Sequence, residues 1–305
     1  MKQTYSEIAK KEIMCLTYTM MCCKRAFLSG LIRSSGSLII SEGQIALALS
    51  STEPEMEQVI EKAVNDTTAG VTITKGDGEI VLQGETILSV LYALGVFKKS
   101  AKGETVVQSG ISPSLIKQDC CKVAYARGLF LGCGSVTLSG GYHMEFLLSH
   151  EDMAKDLSKL FSHFGIESKI LSRHERYMLY LKDSEAVSDC LALLGASNAV
   201  IKLNDEYVNR QVRQEANRRN NCDIANIQKT VNASVRIIEN VRYIEKKVGL
   251  ATLDEKLRVV AKGRLDYPED SFSALADKLG LSKSTVKNRF NKLDEIANKL
   301  RKGDI

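Results

Sequence analysis

The sequence is poor in residues that mark several classes of protein. It has no tryptophan and only 3 prolines among 305 residues, which argues against tryptophan-based ligand platforms and long disordered linkers. No apolar run reaches the roughly 18 residues of a membrane span, and the N-terminal residues lack the apolar stretch and cleavage site of a secretion signal. We therefore expect a cytoplasmic protein with no membrane partner.

The cysteines also lack a recognisable pattern. There are 8 of them, but no C-x-x-C motif occurs, and two pairs are directly adjacent, Cys22-Cys23 and Cys120-Cys121. Adjacent side chains are expected to point in different directions, which suits neither a zinc site nor a disulfide framework. Without an export signal, we predict reduced, mostly buried, structural cysteines and neither a metal nor a cofactor.

Length and charge together indicate unlike parts. A chain of 305 residues suggests two domains with room for a third small module. Residues 207–305 hold 21 Lys and Arg against 13 Asp and Glu, a net charge of +8, whereas residues 1–206 hold 21 against 24, a net charge of −3. The basic third favours a nucleic-acid-binding domain on a body of another kind. A lysine-rich helical domain with no such function is the alternative.

An internal repeat organises the body. Residues 22–37 and 120–135 are identical at 8 of 16 positions at a single offset of 98 residues. In each copy, periodicity and turn residues predict the element order αββαββα. We therefore predict an α+β fold in which the body is a pseudo-twofold duplication, followed by an all-α domain.

A glycine lies inside the first helix of each copy, at Gly30 and Gly128. Glycine in a helix interior costs about 1 kcal/mol relative to alanine, so some contact must offset that cost. The usual reason is close approach of two backbones. We expect these two helices to pack against each other along the pseudo-twofold axis.

The same helices carry the segments LSGLIRSSG and ARGLFLGCG, which resemble the LAGLIDADG helices of homing endonucleases. That family also has two αββαββα halves with the motif helices at the centre. Its eighth motif residue is an acid that binds the catalytic metal. Here those positions are Ser35 and Cys133, and the preceding residues are Ser34 and Gly132. None supplies the carboxylate oxygen that Mg²⁺ prefers, so we predict that the scaffold is kept and the protein is not an enzyme. A residual metal-dependent nuclease is the alternative.

The resemblance also implies a saddle-shaped sheet, which in that family binds a DNA groove. In this chain the body is net negative and the strands carry charges of both signs. Contact of the sheet with nucleic acid and a role for another partner, or no role, both remain open. The charged strand residues considered are Lys75, Asp77, Glu79, Lys169, Arg173 and Arg176.

Residues 207–247 have helical periodicity. A polar run around Asn221 interrupts it, which suggests two helices with a break near that residue. A group of arginines precedes the break and suits phosphate contacts, although a solvated helix face is equally compatible. These arginines are Arg210, Arg213, Arg218 and Arg219.

Residues 250–300 resemble a helix-turn-helix. Helices are predicted at Leu253–Arg264, from Phe272 to Leu279, and at Lys283–Leu293, with Gly280 in the turn and Ser282 as N-cap. A structural three-helix bundle or a coiled-coil end is the alternative. On the last helix, the polar side chains opposite the core suit base edges and phosphates. The predicted DNA-binding residues are Ser282, Lys283, Ser284, Thr285, Lys287, Asn288, Arg289 and Lys292.

These features divide the chain into four segments. We predict an N-terminal region with the first repeat in residues 1–110, the second repeat in residues 111–206, a helical linker in residues 207–248, and the helix-turn-helix domain in residues 249–305.

An acid-free LAGLIDADG-like body, the block NCDIAN at residues 221–226 and a C-terminal helix-turn-helix together resemble the bacterial WhiA family. The resemblance spans residues 10–300. It implies a nucleoid-associated, DNA-binding transcriptional regulator linked to cell division and chromosome segregation, with sporulation control in some relatives. The implied partner is double-stranded DNA, and we consider a regulatory protein bound through the N-terminal body as a second partner. An adaptor whose body holds a protein partner while the tail localises it is the alternative.

Overall fold

A computed structural model describes residues 3–41, 44–51, 53–76, 78–138, 140–173 and 176–303. The chain divides into two compact units, Met1–Asn209 and Arg210–Ile305. Of the charged strand residues considered above, Asp77 lies outside the described residues, and the side chain of Arg173 does too. Among the described residues, no helix combines the length and the apolarity needed to cross a bilayer.

The first unit opens with helix α1 (Tyr5–Met14). Thr4 caps this helix reciprocally, because its hydroxyl accepts the Glu7 N–H at 3.2 Å while the Glu7 carboxylate accepts the Thr4 N–H at 2.9 Å. This capping box satisfies two donors at the helix start. The helix carries Ala9 and Ile13 into the body's core.

The two copies of the repeat have the same element order. The first consists of α2 (Met21–Ser35), β1 (Gly36–Ser41), β2 (Gln44–Ser50), α3 (Pro54–Thr67), β3 (Thr72–Gly76), β4 (Glu79–Gln83) and α4 (Ile87–Ala93). After the short strands β5 (Phe97–Lys99) and β6 (Thr105–Val107), the second consists of α5 (Asp119–Cys133), β7 (Gly134–Thr137), β8 (His143–Leu148), α6 (Glu151–His163), β9 (Lys169–Arg173), β10 (Arg176–Leu181) and α7 (Ser184–Leu194). The predicted αββαββα duplication and α+β class are confirmed.

Each copy builds one antiparallel four-stranded sheet. The strand orders are β1-β2-β4-β3 and β7-β8-β10-β9, so the second hairpin pairs with the first in the same way in both copies. Alternate residues of the central strands point to the helices and are buried, among them Leu47 and Leu49 in β2 and Phe146 in β8. The two copies share one apolar core.

Helices α2 and α5 cross at the predicted glycines. A Cβ atom at Gly30 would overlap the main-chain oxygen of Tyr125, and one at Gly128 would overlap that of Phe27. Neighbouring polar side chains also repeat the symmetry. Ser29 donates to the Leu94 carbonyl at 2.6 Å, and its counterpart Arg127 donates to the Leu194 carbonyl at 2.8 Å. The expected close helix packing is therefore present.

The closing helix of the first copy is shorter than the predicted span from Glu85 to Val96. It ends at Ala93, because Gly95 takes a positive φ of 62° and turns the chain. Val96 and Phe97 then enter the core from the extra hairpin formed by β5 and β6. The sequence prediction missed this hairpin.

The predicted helix break near Asn221 is wrong. Residues Ser197–Lys247 form a single helix, α8, of 51 residues. It contains neither glycine nor proline, the two residues that interrupt helices most strongly. Pairs of side chains four residues apart support its exposed part, such as Arg219 with Glu215 at 2.6 Å.

The second unit contains three further helices, α9 (Glu255–Asp266), α10 (Phe272–Lys278) and α11 (Lys283–Lys302). Helix α11 extends beyond the predicted end at Leu293. Its second half is held because Ala297 packs in one core with Val241 and Ile244 of α8. Burial of this apolar stripe gives the extra helical turns a stabilising contact.

Candidate nucleic-acid interface

Helices α10 and α11 and the turn between them have the local geometry of a helix-turn-helix. Ser271 caps α10 by accepting the Ala274 N–H at 3.2 Å, and Ser282 caps α11 by accepting the Thr285 N–H at 3.1 Å. Gly280 takes a φ of 63° in the turn, a conformation that glycine adopts at little cost. These three local signals fix where α11 begins.

The buried face of α11 orients its polar face. Val286, Phe290 and Leu293 are at most 2% exposed and pack into the core of the unit. The opposite face carries two rows with i, i+4 spacing, Lys283-Lys287-Asn291 and Ser284-Asn288-Lys292, all exposed. Asn291 is absent from the sequence-based set, although it extends the first row and its spacing could have indicated it.

Two of the predicted contact residues, Arg289 and Thr285, are less exposed than expected, and Ser282 is the cap that the sequence predicted. Arg289 is only partly exposed, and its guanidinium donates to the Lys256 carbonyl of α9 at 3.2 Å. Thr285 is also partly buried, and the Ser282 hydroxyl is within hydrogen-bond distance of the Ser284 and Thr285 hydroxyls, at 2.9 and 2.8 Å. The structure therefore uses Ser282 as a cap and Arg289 as a link between α11 and α9.

Charge makes the exposed rows suited to a polyanion. Between Asp277 and Asp294 the chain contains no acidic residue and five lysines and arginines. Basic side chains clustered on one exposed helix face create the positive potential that attracts phosphates. Asparagine amides in the same rows can donate to and accept from base edges.

Arg264 is a buried cation under this motif that the sequence reading missed. Its side chain is 0% exposed and donates to the carbonyl oxygens of Tyr267, Pro268 and Asp270 at 3.3, 3.3 and 2.7 Å. The guanidinium also lies over the rings of Phe272 and Phe290, at 5.5 and 5.4 Å from their centres. Burial lowers the pKa of Arg264, and Asp270 opposes that shift. Arg264 thus fixes the loop that leads into α10.

A polar network fixes α11 against the end of α8. Asn240 is buried, donates to the Asp294 carboxylate at 2.6 Å and accepts from Arg301 at 2.6 Å. Arg236 pairs with Asp294 at 2.9 Å. Asn240 is the inward-facing polar residue of an otherwise apolar stripe, and the sequence pattern gave no means to tell it from an exposed one.

The four arginines near the start of the second unit do not share one face. On a helix that turns 100° per residue, Arg210 and Arg219 lie on opposite sides of α8, nine residues apart. Arg219 is paired with Glu215. The other two, Arg213 and Arg218, are exposed. A phosphate backbone following one side of the helix would meet only part of this set.

The two positions that replace the motif acids lie at the C-terminal ends of the crossing helices. The Ser35 hydroxyl donates to the Leu31 carbonyl of its own helix at 2.8 Å. Cys133 is partly buried, and burial raises the pKa of its thiol to about 12, although Lys10 opposes the rise. A back-bonded hydroxyl and a neutral thiol offer no hard anionic ligand for Mg²⁺.

The cleft at these helix ends contains two glutamates, Glu53 and Glu145. Glu145 accepts from Ser135 at 3.1 Å and lies 2.9 Å from the His143 ring nitrogen. Across the described parts of the chain, no group of three or more acidic, histidine or cysteine side chains in this cleft could hold a metal ion. The sole such group among these residues is the set of cysteines at the other end of the helices.

The sheet faces turned away from the helices are mixed rather than basic. Strand register places Ile39, Leu147 and Leu171 there, and these are 40%, 42% and 48% exposed. Lys75 points instead to the helix side, where it pairs with Glu61 at 2.9 Å. Lys169, Arg176 and Glu79 are exposed. Large exposed apolar side chains therefore interrupt the charged residues of these faces.

Two family models match the chain. The model of the WhiA LAGLIDADG-like domain matches residues 24–106 and 122–213. The model of the WhiA C-terminal HTH domain matches residues 216–297. The two matches together span most of the body and the second unit.

Whole-chain relatives agree with these models. The "Probable cell division protein WhiA" of Caldicellulosiruptor saccharolyticus is 34% identical over 316 residues, which span 99% of this chain and 97% of the relative. The protein of the same name from Bacillus subtilis is 34% identical over 297 residues, 92% of each chain. The crystal structure of full-length DUF199/WhiA from Thermatoga maritima matches with a TM-score of 0.56 and 23% identity, covers 97% of this chain and 99% of that one, and shows that the fold is shared.

A helix-turn-helix with an exposed basic helix, carried by a LAGLIDADG-like body without the motif acids, defines a DNA-binding regulatory protein. More particularly, the chain belongs to the WhiA family. The resemblance noted from the sequence is confirmed.

Proposed function

We propose that this protein regulates transcription by inserting the N-terminal half of α11 into the major groove of DNA, and that it acts in cell division as its relatives' names state. The observation that carries the proposal is the pair of exposed rows on α11, Lys283-Lys287-Asn291 and Ser284-Asn288-Lys292. They lie opposite a fully buried face, so the helix has one orientation available to a groove. Arg289 supports this surface through its bond to the Lys256 carbonyl.

The two rows contain lysines suited to contact phosphates and asparagines suited to contact bases. Lysines at a helix start bring positive charge to the backbone, which positions the helix but reads no sequence. Asn288 and Asn291 can form paired hydrogen bonds with adenine edges. The exposed arginines Arg213 and Arg218 of α8 are proposed phosphate contacts, together with Arg210 and Arg219.

Removal of two lysines from the proposed surface tests the docking. The variant Lys283→Ala/Lys287→Ala is compared with Lys299→Ala/Lys302→Ala, which removes the same charge from the other end of the same helix. The probe is a chromosomal fragment recovered by crosslinked-DNA mapping of the full chain. We expect a loss of about 1–3 kcal/mol in binding free energy for the first variant and a flatter dependence of affinity on salt.

The control variant should bind nearly like the unaltered protein at equal ionic strength. Equal losses from both pairs of substitutions would mean that only total charge matters, and the proposed docking of α11 would then be wrong. Nucleoid association is part of the same proposal, and fluorescence microscopy of the two variants checks it.

We also propose that the body has no nuclease activity. The support is the chemistry at Ser35 and Cys133, a hydroxyl bonded to its own helix and a thiol kept neutral by burial. Incubation of supercoiled plasmid with the full chain and Mg²⁺ or Mn²⁺ should leave the plasmid intact. Nicking that EDTA abolishes, and that follows the protein through purification, would overturn this part of the proposal.

A second function, an adaptor role for the body, is favoured by the exposed Leu147 and Leu171 on the sheet face. Crosslinking in cells should capture a protein on this face in the unaltered chain and lose it in Leu147→Glu/Leu171→Glu. The matched control is Ile201→Glu, an exposed apolar residue that belongs to α8 and not to a strand. Capture that is unaffected by the double substitution would exclude this face as the binding surface.

A further inference from the structure

Four cysteines from the two copies of the repeat meet at the N-terminal ends of the crossing helices. Cys22 and Cys23 lie in the first turn of α2, and Cys120 and Cys121 lie in the first turn of α5. Their four sulfur atoms all lie within 4.8 Å of one another. The expectation that adjacent cysteines point apart is therefore wrong. Close crossing of the helices at Gly30 and Gly128 brings the two pairs together.

The burial of the four thiols differs within each pair. Cys23 and Cys121 are buried, whereas Cys22 and Cys120 are exposed. The sequence-based prediction of mostly buried cysteines is therefore wrong as well, since Cys15 and Cys222 are also exposed. A ligand can therefore reach the two exposed thiols from solvent, while the two buried thiols lie inside the body.

We propose that Cys22, Cys23, Cys120 and Cys121 form a tetrathiolate site for one thiophilic d¹⁰ cation, with Zn²⁺ as the first candidate and Cu⁺ as the second. Thiolate sulfur selects such soft or borderline ions over Mg²⁺ and Ca²⁺. A tetrahedral Zn²⁺ with four sulfurs about 2.3 Å away needs the sulfurs about 3.8 Å apart. The Cys120 and Cys121 sulfurs are 4.0 Å apart, so small side-chain rotations close the remaining gap.

Gln118, the N-cap residue of α5, lies beside the two exposed thiols. The Gln118 side-chain oxygen accepts from the Cys22 and Cys120 thiols, at 3.8 and 3.5 Å. This oxygen becomes free to turn away when the thiols lose their protons to a metal.

The lysines that directly follow the two buried cysteines are each paired with a carboxylate. Lys24 follows Cys23 and pairs with Asp66 at 2.8 Å, and Lys122 follows Cys121 and pairs with Asp119 at 2.6 Å. The lysines repeat the twofold relation of the cysteines.

A metal at this position would join the first turns of α2 and α5, whereas the glycines join their middles. Metal binding would then stabilise the first unit, because only the folded chain brings the four sulfurs together. The site lies at the opposite end of these helices from Ser35 and Cys133. It is therefore separate from the position of the lost nuclease chemistry, and its role would be to hold the two helices together.

Titration of the reduced, metal-free full chain with Co²⁺ tests the site, because Co²⁺ bound by thiolates in a tetrahedron gives strong charge-transfer and visible bands. We expect saturation at one ion per chain, displacement of Co²⁺ by Zn²⁺, and protection of four thiols from alkylation. Native mass spectrometry gives the stoichiometry with Zn²⁺, and competition with a Cu⁺ chelator gives the Cu⁺ arm. Preference for either ion supports the site and decides which ion it holds.

The variant Cys22→Ser/Cys120→Ser removes the two exposed ligands and leaves the core unchanged. It should lose the charge-transfer band and the rise in Tm that metal gives, while its far-ultraviolet circular dichroism stays that of the unaltered chain. The control Cys15→Ser/Cys222→Ser removes two exposed thiols outside the cluster and should keep both signals. Absence of binding by the unaltered chain, retention of binding in the first variant, or formation of disulfides between α2 and α5 in place of metal uptake would overturn the proposal.

Discussion

Gly30 and Gly128 lie at equivalent positions of the two crossing helices, and each faces a main-chain carbonyl of the other helix. Gly30 lies against Tyr125 and Gly128 against Phe27, at distances that leave no room for a Cβ atom. The body's symmetry therefore rests on contact between backbones. Addition of a single methyl group at either glycine should therefore disturb the helix crossing.

Gly128→Ala should destabilise the first unit. Alanine gains about 1 kcal/mol in helix propensity, but separation of two packed backbones costs about 1–3 kcal/mol or more. We expect a net loss of about 1–2 kcal/mol in the free energy of unfolding, measured by native-state hydrogen exchange of α2 and α5 amides. The control is Gly76→Ala, where the nearest atom is 3.9 Å from the added Cβ; equal effects of both substitutions would contradict the close-packing argument.

Arg264→Met should destabilise the second unit. The substitution keeps much of the apolar stem but removes three hydrogen bonds to carbonyls of the 267–270 loop. Charged hydrogen bonds are worth about 1.5–3 kcal/mol each at most, and loss of a partner leaves buried carbonyls unsatisfied. We expect a loss of about 2–4 kcal/mol, observed as faster exchange of α11 amides. Arg242→Met, an exposed arginine of α8, should change exchange little.

Asn240→Ala should weaken the attachment of α11 to the end of α8. The buried amide joins Asp294 to Arg301 through two bonds of 2.6 Å, so its removal leaves a carboxylate and a guanidinium without a shared partner. A loss of about 1–3 kcal/mol is expected. A double-mutant cycle with Asp294→Ala measures the coupling, and strictly additive losses would mean that the network contributes nothing beyond its separate residues.

Cys133→Ser should make the first unit less sensitive to alkaline pH. Burial raises the pKa of this thiol from 9.0 to about 12, so the folded chain binds more protons than the unfolded chain between those values. The stability that the neutral thiol contributes is complete below pH 9 and is lost as pH rises to about 12, on the order of 1 kcal/mol per pH unit.

Serine does not titrate in this range, so the variant's stability should fall less steeply from pH 9 upward in urea unfolding. Lys10 lies beside Cys133, and burial lowers the pKa of its ammonium, which acts in the opposite direction. Comparison of the variant with the unaltered chain removes most of this second effect. Cys15→Ser, at an exposed thiol, is the control, and parallel curves for Cys133→Ser and the unaltered chain would contradict the assigned burial.

Local signals predicted most of the fold. The repeated glycines, strand alternation and caps such as Ser282 indicated element order and helix starts, because each of them acts within a few residues. The C-terminal ends of helices were harder to predict. Helix α4 ends early at a positive-φ glycine, and α11 runs on to Lys302 because its second half packs against α8.

The candidate site, like the fold, could be predicted from the sequence only in part. Periodicity of α11 predicted which face is polar, and the exposed Lys283 and Lys287 fit that pattern. It could not predict that Arg289 would bond the Lys256 carbonyl, or that Arg264 would be buried beneath two phenylalanine rings. Those placements depend on residues far along the chain. The four domain boundaries and the DNA contacts stay predictions.

By itself, the sequence determined the duplication, the absence of acids at Ser35 and Cys133, and the basic character of the last third, since these are properties of residue identity and spacing. Only the tertiary structure decided that two vicinal cysteine pairs, nearly a hundred residues apart, meet at one point. The physical reason is the helix crossing. Two glycines let the backbones touch, and the crossing then fixes which side chains of α2 and α5 become neighbours.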